Sequence, residues 1–303
     1  MINLPVHLFL LLVLPPFLLG VVNKTKAFLA GRKGAPFFQF YYDLFKLMRK
    51  GLVLSGTTTW VFQAGPIITL IAVLAAAALI PLGSSPALVS FTGDFLLFAY
   101  LFGLARFFTT TAALDTGSAF EGMGASREVT FAVLTEPAMF FAFLVLAKLS
   151  GSLSLAGMLH DPEVSLFHRG SAASIVMIAL GFYIVFLAEN SRIPVDDPNT
   201  HLELTMIHEV MVLDHSGPLL GLIEYASSLK FMVLGSVFLN LVLPAASGKI
   251  WLDWLIFITG LLGLAVSVGV IESIMARLRM SRVPSLLIVS VLLCGSAFVV
   301  LLR

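Results

Sequence analysis

Within a mostly apolar chain, the side chains able to carry protons or hold ions crowd into one stretch. Between Glu189 and Gly217 stand Glu189, Arg192, Asp196, Asp197, His201, Glu203, His208, Glu209, Asp214 and His215. This stretch follows directly on residues 171–187, a run apolar enough to read as a membrane span. Charge at or near membrane depth is costly and by default marks a functional path. Carboxylates suit proton transfer, because desolvation raises their pKa and a nearby cation lowers it again. Two further acids belong with these. Glu136 lies about two turns into another apolar run, beside Pro137, whose missing N–H frees a backbone carbonyl. Glu224 precedes a later run and has few cationic neighbours in sequence.

The cationic partners expected for these acids are Arg192, which can set their resting ionisation, and Arg277 or Arg279, either of which can pair with Glu272. His201, His208 and His215 recur every seven residues, so a lasting helix from about Thr200 would stack them on one face. Zinc sites on helices prefer the closer i, i+4 spacing, so a polar helix face is the favoured reading and no metal site is assigned. Cys294 is the single cysteine, too few for an iron–sulfur cluster, a cysteine-based zinc site or an internal disulfide. Haem is not expected either, since five of the six histidines fall in connections and His7 opens the first apolar run.

The elements that must position these groups are membrane spans. Hydrophobic residues make up 59% of the chain and charged ones 12%, with a mean hydropathy of +1.02. Soluble domains carry about 25% charged residues. A span needs about 20 apolar residues, and eight runs qualify: 4–22, 64–82, 91–107, 129–149, 171–187, 231–246, 251–271 and 284–302. The expected fold is therefore an all-α integral membrane protein with one polytopic domain over residues 1–303. The first run reads as a retained span, having no basic n-region, Pro15-Pro16 inside it and no small-residue cleavage site.

Lysine and arginine orient the spans. The odd connections, 23–63, 107–128, 188–230 and 272–283, hold or border Lys24, Lys26, Arg32, Lys33, Lys46, Arg49, Lys50, Arg106, Arg127, Arg192, Lys230, Arg277, Arg279 and Arg282. The even ones hold or border only Lys148, Arg169 and Lys249. The long connections are thus expected in the cytoplasm and both termini outside. Lys148 and Lys230 read as snorkelling residues near span ends. In the first connection, Gln39–Leu47 alternates aromatic and charged residues, the pattern of an interfacial helix lying on lipid or acting as a lid. The third connection is glycine-punctuated and lacks a phosphate-binding Gly-Lys-Ser/Thr. A net charge of +1 argues against nucleic acid as a partner.

Taken together, these connections resemble one family: the membrane subunit that forms the quinone cavity of respiratory complex I, with its relatives in group 4 membrane-bound nickel–iron hydrogenases. Arg192-Ile193-Pro194-Val195-Asp196, then Glu203-Leu204, then Ser216-Gly217 resemble that family's signature in order and spacing. Leu114-Asp115-Thr116-Gly117-Ser118, Gly124-Ala125-Ser126-Arg127-Glu128, Glu136-Pro137 and Glu272-Ser273-Ile274-Met275-Ala276-Arg277 resemble the formate hydrogenlyase and hydrogenase branch. Gly34-Ala35-Pro36 and Val195 depart from the complex I pattern, and the segment between Glu203 and Ser216 is longer. These departures bear on quinone binding rather than on membership.

The resemblance implies a subunit of the inner membrane that takes no cofactor itself. It would anchor hydrogenase large and small subunits carrying the nickel–iron centre and iron–sulfur clusters, and couple them to antiporter-like membrane subunits. Glu136, Glu189, Asp196, Glu203 and Glu224 would then line a proton path, with Arg192, Glu272 and Arg277 as charge partners. Asp115, Glu121, Arg127 and Glu128 would face the soluble arm. Two other readings stay open: a quinone-site subunit of a complex I-type dehydrogenase, and a self-sufficient proton or cation transporter. Against the second stand the lack of a visible inverted repeat and of a lysine well inside a span.

Overall fold

The computed structural model describes residues 3–83, 85–161, 172–197, 206–243 and 249–302, and it is built of helices without a β-sheet among them. Glu203 and His201 lie outside the described residues. Among the described residues, eight helices are long and apolar enough to cross a membrane. In chain order the helices are α1 (Asn3–Leu29), the interfacial α2 (Gln39–Arg49), α3 (Trp60–Ala78), α4 (Asp94–Asp115), α5 (Ala119–Ser150), the short α6 (Leu155–His160), α7 (Ala172–Glu189), the short α8 (His208–Met211), α9 (Gly217–Val242), α10 (Ile250–Ile274) and α11 (Val283–Leu301).

The helices overrun the apolar runs that announced them. The third connection shrinks from 107–128 to residues 116–118, and the sixth span begins at Gly217 rather than residue 231. The reason is electrostatic. Arg106 and Lys230 stand at the ends of their apolar runs, but carboxylates on neighbouring helices neutralise them, so α4 and α9 continue past them. Lys230 therefore stands midway along α9, and its expected place near a span end is corrected.

Because a bilayer offers no hydrophobic drive between helices, close packing has to hold the bundle together. The most extensive helix contact is α3 against α4. A Cβ on Gly65 would lie 2.8 Å from Ala112 Cβ and 3.1 Å from the Phe108 carbonyl oxygen, so only glycine permits this approach. One turn on, the Thr69 and Thr109 hydroxyls meet at 3.1 Å. Phe95, Phe98 and Phe102 of α4 pack edge-on with Phe143 of α5 or with each other, and Phe186 of α7 meets Phe231 of α9.

The odd connections share one face of the bundle. Thr59 N and Oγ1 donate to the Asp115 carboxylate, Ser216 Oγ bridges the N–H and carbonyl of Val53, Asp214 N donates to Glu121, and Leu278 N donates to the Pro194 carbonyl. The Ser216-Gly217 pair is thus a clasp between the first and fifth connections. Gly217 has φ +53°, and a Cβ there would stand 2.6 Å from the Gly51 carbonyl oxygen. The amphipathic stretch forms α2 as expected; it packs on α1 and α9, and Tyr41 Oη donates to the Val13 carbonyl beside the Pro15-Pro16 bend of α1.

Candidate functional site

Arg106 is the hub of the site. Its fork reaches three carboxylates on two neighbouring helices: Nη1 donates to Glu136 of α5 at 2.5 Å, Nη2 to Glu189 at the end of α7 at 2.5 Å, and Nε to Glu128 of α5 at 3.3 Å. Glu189 takes two more donors, the Thr135 hydroxyl at 2.8 Å on Oε1 and Lys230 Nζ at 2.8 Å on Oε2. Three carboxylates and two cations thus form one connected network between α4, α5, α7 and α9. The Arg106 and Glu189 side chains are 9% and 8% exposed, while Glu136 is 44% exposed at the edge of the bundle.

A narrow cleft of about 60 Å³ opens onto this network. One face of each wall helix lines it: Phe102, Ala105, Arg106 and Thr109 on α4, and Ile223, Ala226, Ser227 and Lys230 on α9, both at helical spacing. Ser191 and His208 from the fifth connection sit at its rim with Glu128. A smaller cavity joins Glu128 and Glu189 to Asp196. Another lies inside the wall between Gly103, Arg106, Glu136 and Glu189.

A second network organises the fifth and seventh connections. Glu272, with no exposed side-chain surface, pairs with Lys26 at 2.8 Å and Arg192 at 3.4 Å. The expected partner, Arg277, instead binds Asp196 at 2.9 Å, since the chain leaves α10 at Met275 in extended conformation and turns Arg277 toward the fifth connection. Asp196 Oδ2 accepts the N–H groups of Ile207 and His208, and Oδ1 that of Asp197. Burial holds the Asp196 carboxyl above its ordinary value, with the His208 N–H and the Arg277 guanidinium pulling the other way. Asp196 is therefore first a staple of the loop. Glu224 lies on α9 among Glu209, His208, Arg192 and Asp43.

The histidine stack does not form. α8 ends at Met211, so His208 lies at the cleft rim while His215 stacks on Phe62 with ring centroids 3.9 Å apart. Burial pulls the His215 pKa below its ordinary value. Of the four residues set by the resemblance against a soluble arm, Glu121 is turned inward, and the other three are half-buried with inward partners. Glu121 is fully buried under Asp214, Glu128 binds Arg106, Arg127 donates to the Met206 carbonyl at 2.8 Å, and Asp115 caps the start of α3.

The family profile described as NADH dehydrogenase matches residues 2–303. The chain belongs to this family. Two family relatives from Escherichia coli (strain K12) align well. Hydrogenase-4 component C is 31% identical over 235 residues, 78% of this chain and 73% of the relative. Formate hydrogenlyase subunit 4 is 28% identical over 277 residues, 89% and 88%. A chain of the membrane-bound sulfane sulfur reductase, an archaeal respiratory membrane complex, superposes with a TM-score of 0.85 at 17% identity, covering 98% of this chain and 97% of its own; that likeness is one of fold.

For this member of the NADH dehydrogenase family, the sequence had marked Glu136 and Glu189, and the structure joins them through one arginine. It had missed Arg106 and Lys230 as site residues by treating them as span flanks. The available signal was a cation with helix-forming apolar residues on both sides: Leu104-Ala105-Arg106-Phe107-Phe108 and Ser228-Leu229-Lys230-Phe231-Met232.

Proposed function

We propose that this chain is the membrane-anchoring and proton-coupling subunit of a hydrogenase or formate hydrogenlyase-like complex of the inner membrane, with its long connections in the cytoplasm. The observation that carries this is the Arg106 network, five charged groups held together within the helices and reached by a cleft from the loop-bearing face. The names of its Escherichia coli relatives support the class of complex.

Arginine does not give up its proton in proteins, so Arg106 acts as a fixed charge that sets how many carboxylates stay ionised. Protons pass around it, by way of Glu189, Lys230 and Glu136. The Thr69, Thr109, Ser191 and Ser227 hydroxyls on the cleft wall can order water between the rim and that trio. Asp196, in a loop that a docked partner would touch, shares a cavity with Glu189 and Glu128. A redox event that shifts the loop would thereby change the field on the network. The nickel–iron centre and iron–sulfur clusters belong, in this reading, to hydrogenase large and small subunits docked on the odd connections, and antiporter-like subunits adjoin in the membrane.

Lys230 also meets a requirement of the transporter reading, a lysine inside a span paired with an acid. Gentle purification from native membranes with metal analysis separates the two. Nickel and iron–sulfur subunits accompanying the chain support the coupling role. Quinone-reducing activity without nickel moves it to a complex I-type enzyme, and stable isolation alone moves it to a transporter.

A further inference from the structure

One face of α5 is open at membrane depth in a way that lipid cannot satisfy. Val133, Glu136, Pro137, Phe140 and Leu144 follow one another at helical spacing and line a shallow outward groove of about 510 Å³ on that face. Glu136 is its one charged residue. Arg106 reaches the carboxylate from inside through Oε1, yet the side chain remains 44% exposed toward the groove. Three carboxylates share two cations in the network, so one negative charge is in excess there.

The groove is also rich in acceptors and poor in donors. Pro137 has no N–H to return to the Val133 carbonyl, and Val133, Pro137, Phe140, Phe141 and Leu144 bring no side-chain donor. Hydrocarbon offers neither a counter-charge nor a hydrogen bond. On the inner side, the small cavity at Gly103 lies between Glu136, Arg106 and Glu189, so Glu136 forms the partition between the network and the groove.

We propose that this groove seats a transmembrane helix of a neighbouring membrane subunit, and that the helix presents a lysine or arginine to Glu136. The inference rests on the coupling reading and deepens it, naming the face through which the network meets its membrane partner. The basic side chain balances the excess carboxylate, and the groove's Val133 packs the partner helix on one side of it and Phe140 and Leu144 on the other. Small, flat and apolar surroundings for one charged contact fix both depth and rotation of the incoming helix.

The test places a photo-crosslinking p-benzoylphenylalanine at Val133 and, separately, at Leu144, in the whole complex in native membranes. The expected result is an adduct from both positions to one integral membrane subunit, mapped to a transmembrane peptide with a lysine or arginine within one helical turn of the depth of Glu136. Adducts to lipid alone, to a soluble subunit or to a second copy of this chain overturn the proposal. So does an adduct to a transmembrane peptide without a basic residue at that depth. As a second measurement, Glu136→Lys is expected to lower retention of that subunit at least tenfold on purification, and reversal of the partner's basic residue to glutamate to recover it; retention unchanged in Glu136→Lys overturns the charge pairing. Metal analysis of the same preparation reads the coupling role separately, since loss of nickel and iron–sulfur subunits counts against that role and leaves the crosslink result standing.

Discussion

Replacing Arg106 by glutamine removes the cation shared by Glu128, Glu136 and Glu189. Breaking a buried ion pair from one side costs about 3–5 kcal/mol. Two features of the site set the figure at the lower end. Glu189 keeps Lys230 and the Thr135 hydroxyl, each at 2.8 Å, and Glu136 is 44% exposed, so its lost pairing is discounted. The expected loss is about 3 kcal/mol, roughly two orders of magnitude in the folding equilibrium. Arg106→Lys keeps the charge but not the three-way fork, and should lose about half as much. The decisive comparison is Arg106→Gln/Glu189→Gln. Arg106 and Glu189 satisfy each other, so the double variant should lose at least about 1 kcal/mol less than the two single losses added together. Thermal and denaturant unfolding of the detergent-solubilised chain gives the cycle. Additivity of the two changes within about 0.5 kcal/mol would refute a shared network.

Other perturbations test neighbouring parts of the account. Thr135→Val deletes a hydrogen bond to the Glu189 carboxylate and should cost about 1.5–3 kcal/mol in the same unfolding assay; a neutral effect would detach Thr135 from the network. Gly65→Ala places a Cβ 2.8 Å from Ala112 and forces α3 from α4, with an expected loss of about 1–3 kcal/mol, whereas Gly103→Ala, where a Cβ meets nothing within 4 Å, should be tolerated. His215, depressed by burial, contributes stability that is complete above its unfolded value of 6.5 and is lost as pH falls through the lower folded value. Hydrogen-exchange protection of the first and fifth connections, taken relative to the intrinsic rate at each pH, should therefore fall on acidification below about pH 6.5, and His215→Phe should remove that dependence.

Much of the fold was legible because membrane spans announce themselves by composition, and the eight apolar runs each correspond to a helix. The amphipathic helix α2 was legible for a related reason, its alternation of aromatic and charged residues. What escaped was every feature that depends on a partner distant in sequence. Arg106 and Glu189 are 83 residues apart, and nothing local tells an arginine that flanks a membrane from one buried among carboxylates. The same blindness shortened α9 and offered Arg277 or Arg279 as the partner of Glu272, when Lys26 of α1 and Arg192 hold it instead. The motif Arg192-Ile193-Pro194-Val195-Asp196 pointed to the right loop, but only the structure separates its parts: Arg192 turns to Glu272, while Asp196 binds Arg277 and two N–H groups across the loop.

The central claim is that the network of Arg106, Glu189, Lys230 and Glu136 carries protons driven by a redox partner. The most direct measurement is the ratio of protons translocated to electrons transferred by the intact complex in inverted membrane vesicles, for the native chain and for Glu189→Gln. Loss of the titratable carboxylate that joins Arg106 to Lys230 should lower that ratio at least severalfold, whatever electron transfer remains. An unchanged ratio in Glu189→Gln, with the complex fully assembled, would place the proton route elsewhere.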